Sequence, residues 1–289
     1  MRMEMMLEVI PPPRRSGAEA ASKVTEKIWA AVRGSRFIRY LNIPEITEEN
    51  YAGIPLYKHM DNCEFGAMLH KRTGMEIVAN KVTPYVHSES EFKTWLKKSV
   101  SSYGIRRFVF VGSNSKTRKY PGPPVVRANE MASKMGNIDI GNICIPSRPN
   151  EAGRMATKTK TGATFFTTQL LFEPSAMERV LNDYSHECAR DGVKPATVFL
   201  SLAPVSSHYD LEFFKWLGVE IPDGIERKLR KENGPATASI IMAADLFYEI
   251  HDFVKGGGLK LKVFPNVEAI SNANLGLARS MADLIAERS

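Results

Sequence analysis

Eight short apolar runs, each followed by a segment with helical spacing, constrain this chain more than any other feature. They are Leu7–Ile10, Phe37–Ile43, Glu76–Thr83, Arg107–Val111, Ile138–Ile145, Ala163–Phe172, Thr197–Leu202 and Leu259–Phe264. Prolines close several of them: Pro11, Pro44, Pro84, Pro146 and Pro204. Phe108 to Val111 is apolar at every position, the pattern of a strand buried on both faces. Between the runs, apolar residues recur at a period near 3.6. Ser16 can cap a helix to Val32 with Ala20, Val24, Ile28 and Ala31 on one face. Further helices are read near Glu64–Arg72, over Ser88–Ser101, up to Met135, over Glu151–Thr161 and from Pro174 onward. Two or three more, including Ser239–Val254, precede Gly256-Gly257-Gly258, and a last one covers Asn272–Glu287.

Eight βα units in 289 residues predict an α/β fold, a single (β/α)₈ TIM barrel over 1–289 with extra helices before the eighth strand. A doubly wound sheet is the second choice. It is weakened because no GxGxxG follows a strand, and no GxxxxGK[ST] occurs. Apolar residues at 43% and charged residues at 25% exclude a disordered chain or a collagen-like repeat. No run nears the ~18 apolar residues of a membrane span. The opening Met1–Ile10 carries two acidic residues and no cleavage site, so a secretory signal is not expected. Cys63, Cys144 and Cys188 form no CxxC and have no zinc-type spacing to His, which predicts a reduced, cytoplasmic, metal-free chain with buried thiols.

In such a barrel the chemistry sits at the C-terminal strand ends and in the loops that follow. That rule selects Glu8, Asn42, Lys81, Ser113, Asn114, Arg148, Gln169, Ser206, His208 and Asn266. Glu8 lies within Leu7-Glu8-Val9-Ile10, where burial would raise its pKa toward the range of a general acid. It could equally be an edge-strand Glu paired with Lys or Arg. Gln169 offers a donor and an acceptor to a heterocycle edge, or is a satisfied core amide. Lys81 and Lys158 could bind phosphate, and a Schiff-base lysine is also open. His208 reads as a catalytic or a surface-loop His. The basic loop Lys116–Tyr120 reads as a phosphate contact or a solvated loop.

Three segments together carry a family resemblance. Leu7-Glu8-Val9-Ile10-Pro11-Pro12-Pro13-Arg14 resembles the opening strand of the methylenetetrahydrofolate reductases. Lys158 to Phe172 is similar to that family's Lys-x-x-x-Gly-Ala-x-x-x-x-Thr-Gln segment, and Leu202-Ala203-Pro204-Val205-Ser206 to the end of its seventh strand. Order and spacing match along nearly the whole chain. The resemblance implies a (β/α)₈ barrel that reduces 5,10-methylenetetrahydrofolate to the 5-methyl form with NADH or NADPH. It makes Glu8 the general acid that opens the five-membered ring to an N5 iminium, and Gln169 the residue that hydrogen-bonds the pterin. Ser113, His208 and Asn266 fall with Gln169 on the substrate side. Lys81, Arg148, Glu151 and Lys158 fall on the cofactor side, the last two as phosphate or ribose contacts.

The departures concern the flavin. Where flavin-containing members carry Arg-Gly-Asp, this chain has Val111-Gly112-Ser113. The family's His at the end of strand three is replaced by Lys81, and its aromatic residue at strand five by Ile145. An aromatic near the position of His208 is also missing. The chain therefore resembles a divergent flavin-free branch, with Ile145-Pro146-Ser147-Arg148 and Gly162-Ala163-Thr164 through Thr168-Gln169-Leu170-Leu171. That resemblance implies doubtful FAD binding and direct hydride transfer from NAD(P)H.

The other readings are a non-catalytic barrel subunit scaffolding a C1-reductase complex, and an RNA-associated protein. The second draws only on the +7 charge, from 39 basic and 32 acidic residues, and lacks an aromatic platform. The expected partners are a folate or other pterin and a nicotinamide dinucleotide, with no nucleic acid and no membrane. A homo-oligomer, and a methanopterin-type carrier in place of tetrahydrofolate, stay open.

Overall fold

A computed structural model describes residues 3–49, 54–113, 118–231 and 234–288. Eight parallel strands close into a barrel, in the order β1 (Met5–Glu8), β2 (Ile38–Ile43), β5 (Glu76–Val82), β6 (Arg107–Val111), β7 (Asp139–Cys144), β8 (Ala163–Thr168), β9 (Thr197–Leu202) and β10 (Val263–Glu268). The closing seam pairs Leu7 with Val267 and Glu8 with Glu268. The doubly wound alternative is thereby excluded. A short antiparallel ribbon, β3 (Glu48–Glu49) and β4 (Pro55–Leu56), lies in the loop after β2.

Around the barrel run α1 (Gly17–Val32), α2 (Asn62–Thr73), α3 (Glu89–Tyr103), α4 (Val125–Ser133), α5 (Glu151–Lys160), α6 (Ser175–Arg190) and α10 (Leu275–Glu287). Three further helices, α7 (His208–Trp216), α8 (Asp223–Lys231) and α9 (Ala236–Gly256), fill the stretch before β10, as the sequence predicts. Local chemistry sets the helix ends. The Asp61 carboxylate accepts from the N–H groups of Cys63 and Glu64, satisfying two donors that a helix start leaves open. Ser88 does the same for Glu91 N–H. Gly74 and Gly104 close α2 and α3 in the left-handed conformation.

Three strands differ from the sequence reading by two residues or more. The first strand is Met5–Glu8 rather than Leu7–Ile10, because Met5 and Met6 are fully buried and join the ladder. The sixth ends at Thr168, although Gln169 and Leu171 still donate N–H bonds to Cys144 and Ser201. The last strand is Val263–Glu268, not Leu259–Phe264. Pro265 suggests a strand end in sequence, but a proline removes only one donor and keeps an extended backbone. The ladder runs through it, opposite Leu200.

The core has two parts. The outer one lies between the strands and the helices. The inner one fills the barrel with Met6, Tyr40, Val78, Val109, Phe165, Phe199 and Phe264, one residue from every barrel strand except β7. At β7 the inward position is Gly141. A Cβ there would lie 2.3 Å from Phe165 Cε2, so the missing side chain makes room for that ring. This aromatic plug closes the interior and forms the floor of the barrel mouth.

Candidate active site at the barrel mouth

Side chains alternate along a strand, so residues two positions past the plug also face the interior. That places Glu8 above Met6, Asn42 above Tyr40, Asn80 above Val78, Ser201 above Phe199 and Asn266 above Phe264, with Glu268 one step further. Asn42 Nδ2 donates to Glu8 Oε2 at 2.7 Å. Asn266 Nδ2 donates to Ser201 Oγ at 2.9 Å and to Glu268 Oε1 at 3.2 Å. Asn42, Asn80 and Asn266 are buried, and the Oδ1 of each has no donor among the described residues.

Both carboxyls keep some contact with solvent, yet protein atoms crowd them. Burial, and then the neighbouring Glu268, push the Glu8 carboxyl well above the usual carboxylate range. Burial also pushes Glu268 up to about 7, opposed by a hydrogen bond with Ser201. The site can therefore hold a carboxylic acid near neutral pH. It also presents three unpaired amide acceptors.

The remaining sequence candidates are dispersed. Gln169 follows β8 at the rim, half-buried, and its Nε2 donates to the Leu217 carbonyl at 3.1 Å, tying β8 to the end of α7. Lys81 belongs to the outward-facing set of β5. Its Nζ meets Glu45 Oε1 at 2.5 Å in a buried pair, and Glu45 Oε2 accepts Val82 N–H at 2.8 Å. Lys158 on α5 donates to the Ile143 carbonyl at 2.7 Å and lies 3.8 Å from Glu151. Burial lowers its pKa, with Glu151 opposing. Glu151 accepts Ile145 N–H at 3.1 Å. His208 starts α7 and is exposed, as is Arg148. Ser113 follows β6 and is half-buried, and Ser206 donates to Asp210 at 2.7 Å. Asn114 and the loop residues Ser115 to Thr117 lie outside the described residues.

Sequence reasoning missed Glu268, Ser201 and Asn80. Glu268 carried a usable signal, since it stands two residues after Asn266 and so on the same strand face. Placing the strand end before Pro265 hid it. The thiols of Cys63, Cys144 and Cys188 are unpaired and buried. Among the described residues no cluster of three His, Cys, Asp or Glu side chains could hold a metal, and no helix is long and apolar enough to cross a membrane.

A closed parallel barrel with an inward carboxyl at the C-terminal end of its first strand puts the candidate site where enzymes of this fold hold theirs. The chain belongs to the mycobacterial methylenetetrahydrofolate reductase family, whose sequence pattern it matches over residues 3–223. The structure is similar to that of an uncharacterized protein from Clostridium thermocellum that binds two copies of 5-methyl-5,6,7,8-tetrahydrofolic acid. The TM-score is 0.81 at 20% sequence identity, over 100% of this chain and 97% of the other, a likeness of fold. Comparison with curated proteins by sequence gives no match.

Proposed function

We propose that the protein reduces the methylene bridge of 5,10-methylenetetrahydrofolate, or of a related C1-carrying pterin, to a methyl group with NADH or NADPH. The observation that carries this reading is the inward Glu8 carboxyl, bonded to Asn42 at 2.7 Å at the mouth of a barrel of this family, with burial pushing its pKa up. A protonated Glu8 donates its proton to N10 of the bridged substrate. The N10–methylene bond breaks and leaves an N5 iminium. Hydride from NAD(P)H adds to the iminium carbon, giving the 5-methyl product and NAD(P)⁺. Asn42 orients the acid through its 2.7 Å bond.

The three unpaired amide oxygens suit a pterin, whose pyrimidine edge carries N–H donors that buried acceptors would satisfy. Gln169 at the rim would exchange its bond to Leu217 for the ring edge. The folate bound by the Clostridium thermocellum protein is in keeping with a pterin ligand for this fold.

The residues present do not fit a flavin. No carboxylate stands at the end of β6, where Val111-Gly112-Ser113 occurs. We therefore derive no step through a flavin and place the nicotinamide directly against the pterin, since hydride transfer needs the two carbons in contact.

NADH and NADPH oxidation by the purified protein with methylenetetrahydrofolate, with and without added FAD, tests the proposal. Turnover that FAD does not change is expected, with a protein spectrum free of flavin absorbance. Stoichiometric tightly bound FAD would overturn the flavin-free form. Absence of turnover with either nicotinamide would overturn the reaction.

A further inference from the structure

We propose that Glu268 is a positioning residue for the acid: it shares one proton with Glu8, keeps the negative charge, and holds the proton on Glu8. The two residues are Cα partners across the seam of the barrel. Neighbouring strands run about 4.8 Å apart, and both side chains point inward. Two carboxylates at that separation do not both ionise readily.

The hydrogen bonds decide which one keeps the proton. Glu268 Oε1 accepts from Asn266 Nδ2 at 3.2 Å, and the same amide donates to Ser201 Oγ, which sets that hydroxyl beside Glu268. Ser201 Oγ already accepts from Asn266, so its own hydroxyl proton is available for Glu268. Donors aimed at a carboxylate favour its charged form. Glu8 receives one donor, Asn42, on Oε2, which leaves its other oxygen to carry the proton. Both carboxyls are pushed above the usual carboxylate range by burial, and Glu268 adds to the shift of Glu8.

Among the described residues Glu268 is the charged group that acts on Glu8. The other titratable side chains on the inner faces of β1 and β2 are Glu4 and Tyr40, and they bond to each other at 3.0 Å below the plug residue Met6. On β9 the facing group is Ser201, which is not charged at any working pH.

The sharing of a proton stands on the pair itself. Its use in catalysis rests on the reaction proposed above. The test uses the full chain, with Glu8→Gln, Glu268→Gln and Glu268→Asp. Infrared titration of the protein without substrate should show a protonated carboxyl that persists to neutral pH, and Glu8→Gln should show one protonated carboxyl fewer, leaving Glu268 to titrate by itself. In Glu268→Gln that carboxyl should lose its proton at least one pH unit lower, and Glu268→Asp should restore most of the difference. In turnover, the high-pH limb of kcat should move down by the same amount in Glu268→Gln. That is about a tenfold loss on the alkaline side per unit, with activity on the acid side within a few-fold of wild type. A structural role alone would lower activity equally at every pH. An unshifted carboxyl in Glu268→Gln, or no protonated carboxyl lost in Glu8→Gln, overturns the proposal. The second comparison does not require the Glu268 variants to fold. A shifted carboxyl in a protein that does not turn over methylenetetrahydrofolate keeps the pair and refutes the reaction.

Discussion

Asn42 Nδ2 reaches Glu8 Oε2 at 2.7 Å across the β1–β2 pairing, while its own buried Oδ1 meets no donor among the described residues. One amide thus fixes the orientation of the acid and offers an acceptor beside it. Asn42→Leu removes a donor that favours ionised Glu8, so the Glu8 pKa should rise further. The high-pH limb of turnover should move up, opposite to Glu268→Gln. The loss of orientation should lower kcat about fivefold, as expected for a neutral hydrogen bond of about 1 kcal/mol. A pH–rate profile that moves down in Asn42→Leu contradicts the assignment.

Replacing the acid itself has a larger effect. Glu8→Gln keeps shape and removes the proton, and general acid catalysis contributes about 10²–10⁴-fold. Turnover should fall by that factor on the acid side of the high-pH limb, and the limb itself should disappear, with an unchanged circular dichroism spectrum. Full turnover in the variant would remove Glu8 from the mechanism.

Stability should report the same burial. Both carboxyls have folded pKa values raised above the ordinary 4.5. The folded chain therefore binds these protons more tightly than the unfolded chain. Their contribution is fully present below the ordinary carboxylate range and is lost as pH rises through the folded values. Between pH 5 and pH 8 the denaturation midpoint of wild type should fall more than that of Glu8→Gln or Glu268→Gln. Equal falls would mean that neither carboxyl is desolvated.

Outside the barrel, Lys81 and Glu45 form a buried pair. Removing one partner of such a pair strands the other charge and costs about 3–5 kcal/mol. Lys81→Met should lose stability on that scale. The double change with Glu45→Leu should recover much of it, and the residual loss, about 1–3 kcal/mol, reflects the Val82 N–H left without its acceptor. Chemical denaturation of the three variants checks this. A Lys81→Met protein as stable as wild type would mean that the pair is solvated.

Gly141→Ala tests the floor of the site. The added methyl would collide with the Phe165 ring, and overpacking of this kind costs about 1–3 kcal/mol. Phe165 packs on Phe199, whose strand carries Ser201, so turnover should fall as well as thermal stability. A variant with wild-type melting and turnover would show that the plug yields easily.

Much of the fold is legible along the chain. Apolar runs such as Phe108 to Val111, Asp61 and Ser88 as helix caps, and the glycines Gly74 and Gly104 are local signals, and each has a local physical cause. Glu8 is legible too, because a carboxylate in an apolar strand stands out against its neighbours. Lys81 shows the limit of such signals. Its position at a strand end suggests a phosphate contact, but strand alternation turns it outward onto Glu45, 36 residues away.

The sequence by itself determined the alternation of strands and helices and the carboxyl within the first apolar strand, since both depend on residues within a few positions of each other. Barrel closure decided the rest. It brings Glu268 beside Glu8 across some 260 residues, sets Ser201 and Asn266 beneath the pair, and closes Lys81 and Lys158 onto internal partners. Those contacts follow from strand register and curvature, which the whole sheet fixes at once when its first and last strands meet.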